Sequence, residues 1–190
     1  MPVDPGEVSR SVAGLLGELT ATGAVPGRHV TAGMQSLIDS AVQILDVDCI
    51  GVLLLDEHEV LRTVAASAPA ADLLEHSQTD LGIGPGVDTV SNSSTVAVAD
   101  LAAEDRYQPL AERVQDRGAR AVVSAPVWVN GAVAGNLNAI RADQHAWSQV
   151  EIEAVEAYAD LVAALLQFHA SGLSPFGERA RFGRGTDGEQ

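Results

Sequence analysis

Between residues 120 and 168 the spacing of apolar positions changes period, from alternation to a helical repeat. Val122-Val123-Ser124-Ala125-Pro126-Val127-Trp128-Val129 is rich in β-branched and aromatic residues; Asn130-Gly131 follows, and residues 132–141 form a second run. Asn-Gly accepts the positive φ angles of a type I′ turn, whose twist matches that of the flanking strands. Ser148 and Glu151 then have capping-box spacing, with Trp147 and Ile152 placed as a hydrophobic staple. A hairpin feeding a helix that runs to Phe168 is expected.

Upstream, Val30, Met34, Leu37, Ile38, Ala41, Val42 and Leu45 keep a helical period. Two strands are predicted at 49–55 and 60–66, joined by the polar segment Asp56-Glu57-His58-Glu59. Residues 70–76 read as one or two helical turns and 81–87 as loop. Short strands are expected at 87–90 and 95–99, then a helix over 110–117 ended by Gly118, a natural left-handed terminator. Residues 7–20 carry Val12, Leu15, Leu16 and Leu19 on one stripe, broken at 23–27 around Pro26. The division is an N-terminal extension with helical pattern (1–27), a domain (28–170) and a flexible glycine- and arginine-rich tail (171–190). The element order predicts α+β, a largely antiparallel sheet with helices at both ends.

If Val129 pairs with Ala132, strict alternation puts Val123, Ala125, Val127, Ala134, Asn136, Asn138 and Ile140 on one face. Ser124, Pro126, Trp128, Leu137 and Ala139 then share the other. Two asparagines on an otherwise apolar face suit a dry pocket with a few converging polar groups, or a sheet end near solvent. A slip of one residue would invert the faces.

Composition narrows the chemistry. The 190-residue chain carries a formal net charge of −15, which disfavours nucleic acid and anionic membrane partners. All 11 basic residues are arginine, so a Schiff-base lysine, a lysine general base and a P-loop lysine are absent together. No apolar run approaches the roughly 20 residues of a membrane helix, and the first residues lack a signal-peptide pattern, so a cytoplasmic protein is expected. Cys49 has no partner for a disulfide or thiolate site and reads as a buried strand residue. No two of the five histidines stand at metal-ligand spacing. Gly82-Ile83-Gly84-Pro85-Gly86 is better explained by turn geometry than phosphate binding, because Pro85 lacks an amide donor and no lysine follows.

Several of these segments, in this order, resemble a GAF domain, the sensor module of bacterial signalling proteins. They are Gly82-Ile83-Gly84-Pro85-Gly86-Val87-Asp88, Val98-Ala99-Asp100-Leu101, Asp105-Arg106-Tyr107, Gly118 through Val127, and Gly131-Ala132-Val133-Ala134-Gly135-Asn136-Leu137. The likeness spans 30–168 and is strongest to the sensor halves of GAF–ANTAR regulators, although only about twenty residues follow Phe168, too few for the RNA-binding ANTAR helices. It implies an antiparallel sheet of about six strands, with the N- and C-terminal helices on one face. A ligand pocket would lie on the other, under the loops between Leu81 and Gly118.

The resemblance also implies an unidentified small-molecule ligand, a homodimer through the terminal helices and a downstream protein partner. The candidate ligand-binding residues are Asp88, Asp100, Arg106, Tyr107, Asn136 and Asn138; no catalytic or metal residues are assigned, and the cofactor is unknown. Aspartate-to-backbone bonds are the ordinary use of such loop carboxylates, and Arg120 is expected to pair with one of them. The sequence lacks the cysteines of the methionine sulfoxide reductase branch and the pattern of cyclic-nucleotide GAF domains, and Cys49 lies poorly for bilin attachment. The alternatives are a hydrolase or reductase on this scaffold, for which Ser124 with a distant histidine is the nearest offering, and a ligand-free scaffold whose pocket is self-filled.

Overall fold

A computed structural model describes residues 27–170. Helix α1 (Gly27–Ile44) leads into β1 (Cys49–Leu55) and β2 (Leu61–Ala66). Helices α2 (Pro69–Leu81) and α3 (Pro85–Asn92) follow, then β3 (Val96–Val98), two 3₁₀ turns (Leu101–Ala103 and Asp105–Tyr107) and α4 (Gln108–Val114). The hairpin β4 (Ala121–Val129) and β5 (Ala132–Arg141) precedes the last helix, α5 (Gln149–Ala170). The segments 7–20, 23–27 (apart from Gly27) and 171–190, each given a reading above, lie outside the described residues.

The strands of the described residues form one antiparallel sheet of five in the order β2-β1-β5-β4-β3, close to the six or so expected. One face is dry. Met34, Ile38 and Ala41 of α1 and Val155, Ala159, Val162 and Leu166 of α5 pack there on Ile50, Val52, Val123, Ala125, Leu137 and Ala139. The other face is covered by α2, α4 and the 3₁₀ turns through Ala71, Leu74, Leu101, Tyr107, Leu110 and Val114, against Cys49, Val98, Val122 and Ile140.

The capping box forms as read. Ser148 N–H donates to Glu151 Oε2 at 2.8 Å, and Glu151 N–H donates to Ser148 Oγ at 3.3 Å. The Ser148 N–H and the Ser148 hydroxyl, which also donates to Glu151 Oε2 at 2.8 Å, together with His145 Nε2 at 2.7 Å hold the Glu151 carboxyl down at about 2. Trp147 packs against the dry core and donates its indole N–H to Val98 O at 3.1 Å, which ties the helix entry to β3.

Three local readings are corrected. Residues 87–90 are helical, inside α3: Pro85 presets the first turn, and Asp88 lies where a carboxylate favours the N-terminal dipole. The helix at 70–76 continues to Leu81 and stops at Gly82, whose φ of 63° is left-handed. The expected cover of loops between Leu81 and Gly118 is therefore mostly helix. The helix over 110–117 is split into α4 and a 3₁₀ turn, Gln115–Arg117, and ends at Gly118 as expected.

The turn has positive φ at both Asn130 (51°) and Gly131 (82°), the I′ signature, and Val129 pairs with Ala132. Two residues further on, a bulge breaks the register: Trp128 pairs with Val133 but Val127 with Gly135, leaving Ala134 as the extra residue. Strict alternation therefore fails. Ser124 lies opposite Asn138 and Pro126 opposite Asn136, whereas Val123, Ala125 and Val127 turn to the dry face.

At Gly135 the strands approach so closely that an added Cβ would overlap the Leu53 carbonyl and Leu54 Cα, both backbone. Gly135→Ala is expected to cost at least about 2 kcal/mol in urea unfolding. Gly33→Ala, whose Cβ would make an ordinary 3.6 Å contact with Leu165, should stabilise α1 by about 0.5–1 kcal/mol.

Candidate functional site

On the α2 side of the sheet lies a cluster of polar side chains with no exposure to solvent. The 3.6-residue repeat of α2 puts Ala71, Leu74, Glu75 and Gln78 on one inward stripe, so two polar residues share the buried face with two apolar ones. Below them β5 presents Asn136 and Asn138, and β4 presents Ser124. Glu75, Gln78, Thr89, Ser124, Asn136 and Asn138 are all fully buried.

The cluster is a chain of hydrogen bonds. Asn138 Nδ2 donates to both Glu75 carboxylate oxygens at 2.8 Å, and Gln78 Nε2 donates to Glu75 Oε2 at 3.1 Å. Gln78 Oε1 accepts the backbone N–H of Gly86 at 2.7 Å, which fixes the start of α3. With its Nδ2 committed to Glu75, Asn138 turns Oδ1 to Asn136, whose Nδ2 donates to it at 3.0 Å and to Ser124 Oγ at 3.1 Å. Thr89 Oγ1 donates to Ser124 O at 3.1 Å. Asn136 Oδ1 is left buried without a partner.

Glycines make room for this packing. A Cβ at Gly51 would overlap the Glu75 carboxyl, and one at Gly86 would lie 2.8 Å from Asn136 Nδ2. Among the described residues, no arginine or histidine acts on Glu75. Burial pushes its carboxyl up to about 8, the two amide donors pull it back and the charge of Asp72 adds to the rise. Burial, then the charges of Asp48 and Glu75, push the Cys49 thiol up to about 12, so it is inert.

A second constellation lies where α3 meets the second 3₁₀ turn. Asp88 Oδ2 accepts from Tyr107 OH at 2.6 Å and from Arg106 Nη1 at 3.1 Å, and the Arg106 guanidinium stacks over the Tyr107 ring at 4.4 Å. α3 is thereby latched to the second 3₁₀ turn. Asp100 stands apart: it caps the first 3₁₀ turn through Ala102 N–H and receives Arg120 Nε and Nη2 at 3.2 and 2.8 Å.

The six sequence candidates thus fall into three places: Asn136 and Asn138 in the buried cluster, Asp88 with Arg106 and Tyr107 at the latch, and Asp100 with Arg120. Glu75, Gln78, Thr89 and Ser124 were not singled out for this site. The inward stripe of α2 carried the signal for the first two, but reading only one or two turns there hid it. Ser124 bonds Asn136 rather than a histidine, and the described residues hold no group of three metal-capable side chains. None of their helices is long and apolar enough to cross a membrane.

The GAF domain profile matches residues 31–166, most of the chain. The chain belongs to the GAF domain family. No curated protein matches it. Among solved structures it is similar to a type II free methionine-R-sulfoxide reductase from Thermoplasma acidophilum. That likeness has 19% identity and a TM-score of 0.61, covering 75% of this chain and 95% of that one. The cyanobacteriochrome TePixJ GAF domain aligns at 16% identity and a TM-score of 0.57, covering 81% and 99%. Residues 122 to 287 of a methyl-accepting chemotaxis protein align at 15% and 0.58, covering 77% and 93%. At these identities the likeness is one of fold.

Glu75 has a raised pKa in the folded GAF domain, so its contribution to stability is fully present below about 4.5 and is lost as pH rises through about 8. Glu75→Gln cannot ionise. Its stability relative to the wild type should therefore grow between pH 5 and pH 8.5 in urea titrations; a pH-independent difference contradicts this. Tyr107→Phe leaves Asp88 one donor short and should cost about 1–2 kcal/mol, with faster amide exchange in α3.

Proposed function

We propose that this GAF domain is a small-molecule-binding regulatory module of bacterial signal transduction, cytoplasmic and non-catalytic. The observation that carries the reading is the unpartnered Asn136 Oδ1 inside a fully buried polar cluster. A buried acceptor without a donor costs about 1–3 kcal/mol, and an occupant that supplies the donor recovers it. The candidate ligand contacts from the sequence divide accordingly: Asn136 and Asn138 at the floor, Asp88, Arg106 and Tyr107 at the latch, and Asp100 at the turn leading to it. The chemotaxis and cyanobacteriochrome neighbours are consistent with a sensor role.

Occupancy would be transmitted through α1 and α5 to a homodimer contact or a downstream protein partner. Leu161 on α5 is 51% exposed and Ile44 on α1 is 71% exposed, apolar surface that a second subunit could cover. A ligand preferring one arrangement of α3 shifts the population of that arrangement.

A ligand-free scaffold is the second reading, favoured by the way Glu75, Gln78 and Asn138 satisfy one another. Against an enzyme stand the inert Cys49 and a Ser124 hydroxyl bonded to an amide.

Native and denaturing mass spectra of protein purified without refolding, with an absorption spectrum, test the sensor reading. A released small molecule, absent from Asn136→Leu protein, is expected; an empty wild type that no metabolite mixture stabilises favours the scaffold. Leu161→Glu should convert a dimer to a monomer in sedimentation.

A further inference from the structure

We propose that the buried cluster takes a compact cationic donor, an amidinium or primary ammonium group, which pairs with the Glu75 carboxylate and donates to Asn136 Oδ1. The proposal rests on the sensor reading and adds the chemical class of its ligand. Two independent demands converge on that class. Glu75 is a buried acid whose partners among the described residues are amides, so it avoids an unpaired buried charge by keeping its proton, and an incoming cation would let it ionise. Asn136 Oδ1 is a buried acceptor with no donor. Asn136 and Asn138 are two residues apart on β5 and share one face, where Asn136 Nδ2 reaches Asn138 Oδ1 at 3.0 Å and so brings the free Oδ1 into the same cluster as Glu75. A planar amidinium has donors for both directions: one edge can form a fork on the carboxylate while another N–H serves the amide oxygen.

The surroundings reject the other classes. An anion would meet Glu75 and an acceptor, with no arginine or histidine acting on either. A neutral apolar group would leave Asn136 Oδ1 unpaired. The entrance also fits. α3 is pinned by Gly86 N–H to Gln78 Oε1, by Thr89 Oγ1 to Ser124 O and on the outside by Asp88, all on the side of the sheet away from the dry core, so a ligand would enter by displacing α3. The acidic chain attracts cations at long range.

Charge pairing has a proton signature. On its own helix Glu75 feels Asp72; across it β1 offers the neutral Cys49 thiol, β5 offers amides, and α3 offers backbone, with Asp88 turned to Arg106 and Tyr107. The Arg62 guanidinium of β2 pairs with Asp56, and the Arg113 guanidinium of α4 pairs with Asp80 at the far end of α2. Among the described residues, Asp72 is the charged side chain that acts on Glu75. Because burial holds the acid largely protonated at neutral pH, a cation that pairs with it expels that proton to solvent.

Acetamidinium, acetamide and acetate share one shape and differ in charge, and they are the probes. With the full chain at pH 7, acetamidinium at tenfold above its Kd should raise the melting midpoint by about 4 °C. Calorimetry in two buffers of different ionisation heat should show release of up to one proton. Glu75→Gln should lose both effects while remaining folded by circular dichroism, and Asn136→Ala should weaken binding by about tenfold with proton release retained. Stabilisation by acetamide or acetate equal to that by acetamidinium, or binding unaffected by Glu75→Gln, overturns the cationic class while leaving a ligand site standing. No stabilisation by any of the three, nor by methylammonium, overturns the cationic proposal, while an endogenous ligand in the mass spectra would still uphold the sensor reading.

Discussion

A carboxylic acid held between a helix and a sheet, with amides rather than a cation for company, sets the terms for much of this domain. Glu75 reaches from α2 to Asn138 on β5 only because Gly51 on β1 offers no side chain in its path. Its partner Gln78 in turn fixes the first amide of α3. Remove the acid and the positions of α2, α3 and the two asparagines lose their common reference. Polar contacts in an apolar interior are orientation-dependent in a way that hydrophobic packing is not, so a single chain of them specifies where three elements must lie.

The two faces of the sheet therefore differ in kind. The α1–α5 face is apolar and tolerates only shape; the α2–α3 face contains a network with one unfilled valence. β5 is the shared wall. Leu137 and Ala139 belong to the dry core, while Asn136 and Asn138 alternate with them toward the cluster. Any displacement of this strand is felt on both sides at once, because close-packed side chains do not deform smoothly. The α5 entry is separately stitched to β3 through Trp147, so the last helix is held by the sheet at one end as well as along its length.

Much of the architecture was legible in the sequence because local signals agreed with tertiary ones. Asn130-Gly131, the Ser148–Glu151 box and the α1 stripe each name one structure, and the packing uses the same residues. Where local signals were short or divided, reading failed. Val87 and Val90 favour strand by propensity, but Pro85 and Asp88 begin a helix that the rest of the fold completes. The bulge at Ala134 has no marker in composition, and it alone moved Ser124 from the face opposite the asparagines to the face they share. Asn136 and Asn138 announced themselves as polar residues in an apolar strand. Glu75 did not, because a glutamate in a helix is ordinary until the full stripe is drawn.

Trp147 and Trp128, the two tryptophans of the chain, stand at opposite ends of the hairpin. Trp128 is 40% exposed beside the turn, whereas Trp147 is packed at the helix entry with His145 edge-on at 4.8 Å and the Arg141 guanidinium over its ring at 5.6 Å. Their emission should consequently differ in wavelength, redder from the wetter Trp128 and bluer from the half-buried Trp147. The molecule thus carries an intrinsic optical gauge at the junction between sheet and last helix, with a second indole at the far end serving as its reference.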